Sequence, residues 1–342
     1  MREGLKIFLG TIGGWIPQNW LIHLSKQDMI LPFYHTISND PMPHVSHVYP
    51  VRTLKQFRAD LEFLLRHYEP VGLDAFLSFV PNSGRSKPAM FLSFDDGLSE
   101  IYHLVTPILI AKGIPAAVFV NTDFIGNKEL FYRYKTSLLL ERFENINYSP
   151  PVSEILQRSY HLASSRKKCI REFLLSVSYK NRHELDEVAK LVDLDFRAFL
   201  KVKKPYMSMD QIKDLMEKGF YIGSHSKDHP RFGVISPQNR LTQYRESMEY
   251  LEKNPGTGYG LFSFPFSDDG IPARFFNELR KEGMPRLDAS FGSTGLKADP
   301  VDFHHQRIPL EAGRAGANRL IRGEYLYYLA KSIAGKNTIS RR

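Results

Sequence analysis

The chain holds one cysteine, Cys169, in 342 residues, so no internal disulfide can form and nothing marks an oxidising compartment. Long apolar runs are also missing. The nearest candidate, Ile7 to Ile16, is broken by glycines and falls far short of the roughly 20 residues that a membrane span needs. It lacks a small-residue cleavage site before Pro17, and Gln18 and Asn19 follow, which fits a signal peptide poorly. An interior, cytoplasmic location without a transmembrane segment is therefore expected. Trp15, Trp20 and Leu21 offer a peripheral membrane contact, although packing against the domain is the commoner fate of such residues. Acidic residues are the scarcer charge, 37 against 46 Lys and Arg, for a net charge of +9. The basic residues are scattered and no nucleic-acid-binding motif is present, so a nucleic acid is not an expected partner.

What is present suffices for a sizeable core, since 42% of the residues are hydrophobic. The chain is organised around Ala89 to Gly97, Ala-Met-Phe-Leu-Ser-Phe-Asp-Asp-Gly. Lys87-Pro88 in front and Gly97 behind bound a buried strand with two acids at its C-terminal mouth. Adjacent carboxylates repel and lose hydration when half buried, so a cation or a shared proton is needed to offset the cost. A plain Asp-Asp-Gly turn is the alternative. Downstream, Gly219 to Ile222 reads as a second strand and runs into Gly223-Ser224-His225-Ser226-Lys227-Asp228-His229-Pro230. One Asp with two His, leaving different strand ends, is a ligand set for a divalent metal with open positions. His225 and His229 alone would read as a satisfied surface pair.

Ser93-Phe94-Asp95-Asp96-Gly97 together with His225-Ser226-Lys227-Asp228-His229 resembles the first two motifs of the polysaccharide deacetylases. The resemblance implies that Asp95 is the general base and that Asp96, His225 and His229 hold a divalent metal, zinc or a similar ion. Alternation of side chains along a strand lets two consecutive acids take these two roles. Phe33-Tyr34-His35 closes an earlier strand candidate that Pro32 weakens. Taken alone, His35 is the first loop residue after an edge strand. Family members acting on exported poly-N-acetylglucosamine begin with such a strand in a circularly permuted order, and similarity to them makes His35 the general acid.

Helical and strand patterns then alternate. Leu54, Phe57, Leu61, Leu64 and Leu65 share a helical face, and Ala116 to Val120 is a buried strand. This predicts a distorted parallel (β/α) barrel, one domain over 1–342, with a helical insertion at 127–205 that either borders the substrate groove or only caps the structure. Leu261 to Phe266 stands in the place of the family's third motif. Pro265 and Phe266 match its groove-lining residues, and the resemblance gives the Phe266 backbone N–H to the oxyanion. The motif's arginine is absent, with Ser263 or Phe264 in its place; Arg307, also a candidate substrate-binding residue, or Arg133 supplies the charge from elsewhere. Asp268-Asp269-Gly270 reads as a turn. His304 and His305, between Pro300 and Pro309, read as rim or structural residues in an irregular stretch, and the tail from Lys336 to Arg342 as frayed.

The expected activity is metal-dependent removal of N-acetyl groups from an amino-sugar glycan, which is the implied partner. A carbohydrate O-acetyl esterase and a glycan-binding pseudoenzyme of the same fold stand as alternatives.

Overall fold

In the computed structural model, which describes residues 2–81, 84–145, 150–313 and 315–341, the buried strand before the acidic doublet is Leu92–Phe94. It pairs in parallel with Ala116–Val120 on one side and Pro32–Tyr34 on the other. The ring continues from Ala116–Val120 through Tyr221–Ser224, Leu261–Ser263 and Ala289–Gly292 to His304–Gln306, all parallel. On its other side Pro32–Tyr34 pairs with Ile308–Pro309. The two end segments are consecutive in the chain, with only Arg307 between them. A single stretch therefore closes the barrel: the Arg307 N–H donates to Gly292 O at 3.2 Å and the Ile308 N–H to Leu31 O at 2.8 Å.

Two expectations change here. The Pro32 strand is internal rather than an edge. Proline removes one ladder donor, but the Phe91 N–H to Ile30 O bond (3.1 Å) and the Asp95 N–H to Tyr34 O bond (2.9 Å) hold the strand on either side. The stretch before Pro309 is a strand rather than irregular chain, because the neighbouring edges of the sheet supply both its partners.

Local signals set the boundaries. Thr53 caps Leu54–His67 with a capping box closed by Gln56, and Ser208 with Gln211 does the same for Met209–Glu217. Gly219, at φ 84°, then turns the chain into Tyr221–Ser224. Between Ala116–Val120 and that strand lie, besides Met209–Glu217, the helices Tyr132–Asn145, Pro150–Ser159, Lys167–Ser176, Glu184–Leu191 and Phe196–Lys203. Leu139, Leu156, Leu174, Leu185 and Val188 build a core of their own among them. Residues 146–149 of this segment lie outside the described residues.

The tail is docked rather than frayed. Ala298 bridges to Thr338, and Arg341, its side chain 2% exposed, pairs with Asp268 and Asp299. Arg342 lies outside the described residues. Leu21 is 1% exposed and belongs to the core, so it cannot join Trp15 and Trp20 in a surface contact. Among the described residues no helix is long and apolar enough to cross a membrane.

Candidate active site

The C-terminal ends of the barrel strands carry four residues in the left-handed region that are not glycine: Asp96 (φ 70°), Ser226 (φ 69°), His229 (φ 61°) and Phe266 (φ 59°). Such backbone costs about 1–3 kcal/mol at each position and persists where the surroundings over-determine it. The turn at Asp96 and Gly97 sends the two adjacent carboxylates to different partners.

Asp96 Oδ1 lies 3.2 Å from His229 Nε2 and 3.6 Å from His225 Nε2, and the two Nε2 atoms are 3.1 Å apart. Ligands about 2.1 Å from a tetrahedral ion are separated by roughly 3.4 Å, so the three atoms are spaced to share one cation. Asp96 Oδ1 is buried without a hydrogen-bond donor among the described residues. The His225 Nδ1–H donates to Ser263 O at 2.8 Å, which leaves the Nε2 lone pair facing inward. Burial, chiefly, pushes the His225 imidazole down to about 4, the neutral form a metal requires. Burial would raise Asp96, but His229, His35 and His225 together hold its carboxyl well below the usual range. These residues fit a divalent cation.

Serines shape the second histidine's loop: Ser224 Oγ accepts from the Ser226 N–H (3.1 Å), and Ser226 Oγ from the His229 N–H (3.2 Å). Asp96 Oδ2 accepts hydrogen bonds from Tyr134 (2.8 Å) and Tyr49 (3.1 Å). Tyr134 lies on Tyr132–Asn145, and Phe131, just before that helix, packs on His229 with ring centroids 4.3 Å apart. Tyr132–Asn145, the first helix of the segment between Ala116–Val120 and Tyr221–Ser224, therefore borders the site.

Asp95 faces Arg307. The guanidinium donates to both carboxylate oxygens, at 2.8 and 2.7 Å, and also to Ser93 Oγ, Ser263 Oγ and Gly292 O. Burial alone would raise the Asp95 carboxyl; Arg307, joined by His225 and His35, outweighs it and holds it low. Of the two arginines considered for the missing motif charge, Arg307 reaches Asp95, entering from the closing strand instead of the third motif. Arg133 donates to Leu175 O and lies over the Tyr132 ring. With its side chain 1% exposed and both terminal nitrogens on Asp95, Arg307 orients that carboxylate.

His35 sits on the opposite rim with a partner that sequence reading missed. Its Nδ1 is 2.6 Å from Glu311 Oε2, while Glu311 Oε1 accepts the backbone N–H groups of His35 and Thr36. Burial works against the imidazolium, but Glu311, with smaller contributions from Asp96 and Asp95, prevails and raises His35 to about 9. The ring stacks on Tyr49 at 4.3 Å. Arg307, Pro309 and Glu311 alternate along the closing stretch, in and on either side of Ile308–Pro309, and that two-residue period was the available signal.

Phe266 completes the cleft. The Ser267 N–H donates to Pro265 O at 2.7 Å across a positive-φ γ-turn centred on Phe266, and the Phe266 N–H makes no hydrogen bond among the described residues. Its ring packs on His229 at 4.7 Å. These groups line a cleft of about 460 Å³.

Asp268 is more than a turn residue. With Asp299 and His304 it forms a second group whose ligand-type atoms converge. Arg341 donates to both carboxylates, Gln306 donates to Asp268 Oδ2 at 2.8 Å, and His304 Nδ1 lies 2.8 Å from Ser290 Oγ. That cluster already has a cation in Arg341. His305 packs edge-on against Phe76.

Comparison with known proteins agrees with this architecture. Two solved structures resemble the chain: a Streptococcus pyogenes deacetylase, PplD, in complex with acetate, at 13% identity and TM-score 0.52, covering 86% of this chain and 97% of that one; and IcaB from Ammonifex degensii, at 13% identity and TM-score 0.51, covering 87% and 96%. At this identity the likeness concerns the fold. No curated protein matches the chain. The family model described as polysaccharide deacetylase matches residues 82–287, a span that takes in Asp95, Asp96, His225, His229 and Phe266 and leaves His35, Arg307 and Glu311 outside. The chain belongs to the polysaccharide deacetylase family.

Proposed function

We propose that the protein hydrolyses the N-acetyl group of an amino sugar within a glycan or glycan precursor, releasing acetate and a free amine. The observation that carries the reading is the division of labour in the acidic doublet: Asp96 converges with two imidazoles, while Asp95 is held apart and ionised by Arg307. A divalent ion, zinc in this reading, held by Asp96, His225 and His229, would supply Lewis-acid polarisation of the carbonyl and of the attacking water. Asp95 accepts the water's proton as the carbonyl is attacked, and Arg307 fixes the direction from which it does so. The Phe266 N–H, free and held in place by its strained turn, donates to the developing oxyanion. His35 protonates the departing nitrogen through Nε2 while Glu311 holds Nδ1. Tyr49, stacked on His35 and bonded to Asp96, couples the two sides of the cleft.

The His35–Glu311 pair favours amide over ester chemistry. An amine leaves poorly without a proton, whereas an alkoxide needs less help, and an imidazole raised to about 9 stays charged at neutral pH. Incubation with N-acetylated and O-acetylated oligosaccharides, following acetate and free amine together, tests the assignment. Equal amounts of acetate and amine from the N-acetylated substrate are expected; acetate from the O-acetylated substrate alone would make the protein an esterase.

A further inference from the structure

The helices Arg2–Ile12 and Gln18–Ser25 lie against the closing helix Ala317–Ile333, and their inner faces are fully used. A Cβ on Gly10 would meet Arg319 O at 1.9 Å and one on Gly323 would meet Lys6 O at 2.0 Å, so the backbones touch and only glycine fits. Ile7, Ile16 and Ile22 pack on the barrel core. The outer face is also apolar. Leu5, Phe8 and Ile12 follow one another at helical spacing, about half exposed, and lead to Trp15 at 83% exposure; Trp20 (67%) and Leu24 (60%) repeat the pattern on the second helix. From Ile7 to Ile22 there is no charged residue. Scattered exposed apolar side chains are ordinary, but five on two consecutive short helices, with Trp15 in the link between them, form one contiguous apolar surface.

The surroundings of this surface are basic. Arg322 donates to Gly14 O at 2.9 Å in the link between the helices, and Arg319, beside Gly10, is exposed, as is Lys26 at the end of the second helix. His67 contacts Asn19 of the second helix at 3.1 Å, and besides its burial the charges of Arg66, Arg322 and Lys87 disfavour its protonation. Exposed aliphatic and tryptophan side chains flanked by arginine and lysine match the two layers of an anionic membrane surface, acyl chains and phosphates. A second copy of the chain would bring the same positive charges against themselves.

We propose that this N-terminal helix pair docks the protein peripherally on an anionic lipid bilayer. Docking would also orient the catalytic face. Lys6 lines a second cleft together with Ser293 and Pro309, both of which also line the catalytic cleft, so the lipid-facing helix stands beside a route to the site.

The chain's two tryptophans, Trp15 and Trp20, both belong to this surface, so intrinsic fluorescence reads it directly. Vesicles of phosphatidylcholine, with and without phosphatidylglycerol, would be titrated into the 342-residue chain at low and high salt, with sedimentation in parallel. A blue shift and co-sedimentation with the phosphatidylglycerol vesicles, weakened by salt, are expected. The double variant Phe8→Ser/Ile12→Ser, which keeps both reporters, should bind about tenfold more weakly or worse. Arg319→Glu and Arg66→Glu should each cost about fivefold. Far-UV circular dichroism and melting of the variants establish that they are folded. Failure to bind either vesicle, or equal binding to both irrespective of salt, overturns the proposal. So does a protein that dimerises through this face, with the dimer lost in Phe8→Ser/Ile12→Ser and no lipid bound.

Discussion

Arg307 grips Asp95 through two parallel hydrogen bonds across 212 residues of sequence, and the same guanidinium is tied to Ser93, Ser263 and Gly292. Three strands thus fix one carboxylate. Since Arg307 lies at the point where the chain closes the barrel, closure of the fold and orientation of the Asp95 carboxylate are one event.

Arg307→Lys keeps the charge and loses the fork. Turnover should fall about 10²-fold, and the acidic limb of the rate profile should move to higher pH, because Asp95 loses one of the two hydrogen bonds that help to hold it low against its burial. Arg307→Met leaves the buried carboxylate unpaired and should destabilise the protein by about 3–5 kcal/mol, read by chemical denaturation.

The two acids should part company when neutralised. Asp95→Asn should lose turnover by about 10²–10⁴-fold while retaining a full equivalent of metal, and Asp96→Asn should lose both. His225→Ala should lose metal and His304→Ala should keep it. An Asp95→Asn protein that empties of metal would exchange the roles assigned to the pair.

His35 titrates on the alkaline side. Its imidazole is raised to about 9, so activity that needs the proton should decline as pH rises through that region. Glu311→Gln removes the main raising influence and should move the alkaline limb to lower pH with metal content unchanged. The linkage has the same sign for stability: folded His35 binds its proton more tightly than the unfolded chain does. The pair's contribution is complete below about 6.5 and lost as pH rises through about 9. An alkaline limb that stays in place in Glu311→Gln would remove His35 from the role of acid.

The acidic doublet and both histidines were legible because each sits in an unbroken run at a strand end, where alternation and turn chemistry are local. So was the barrel, from alternating βα patterns. Arg307 was one of two candidates and Glu311 was not seen, because both depend on which strands become neighbours. Pro32 obscured the strand that pairs with theirs. Tyr49 and Tyr134 on Asp96, and the docking of Arg341, arise from long-range packing that no local period encodes.

That docking predicts a stabilising tail. Arg341 is the cation for Asp268 and Asp299, so Arg341→Ala should cost about 3–5 kcal/mol in denaturation, whereas Asp269→Ala, on the exposed side of the same turn, should stay within about 0.5 kcal/mol. Because Arg341 and Asp268 lie away from Asp96, His225 and His229, metal affinity should not change.

Amide cleavage is expected to need one cation, held by Asp96, His225 and His229. Zinc would be titrated into metal-stripped protein while free amine released from an N-acetylated oligosaccharide is measured. Amine release should be absent at the start, rise in proportion to zinc and level off at one equivalent. Undiminished release from the stripped protein, or a rise that continues to a second equivalent and disappears in Asp268→Asn, would contradict the account.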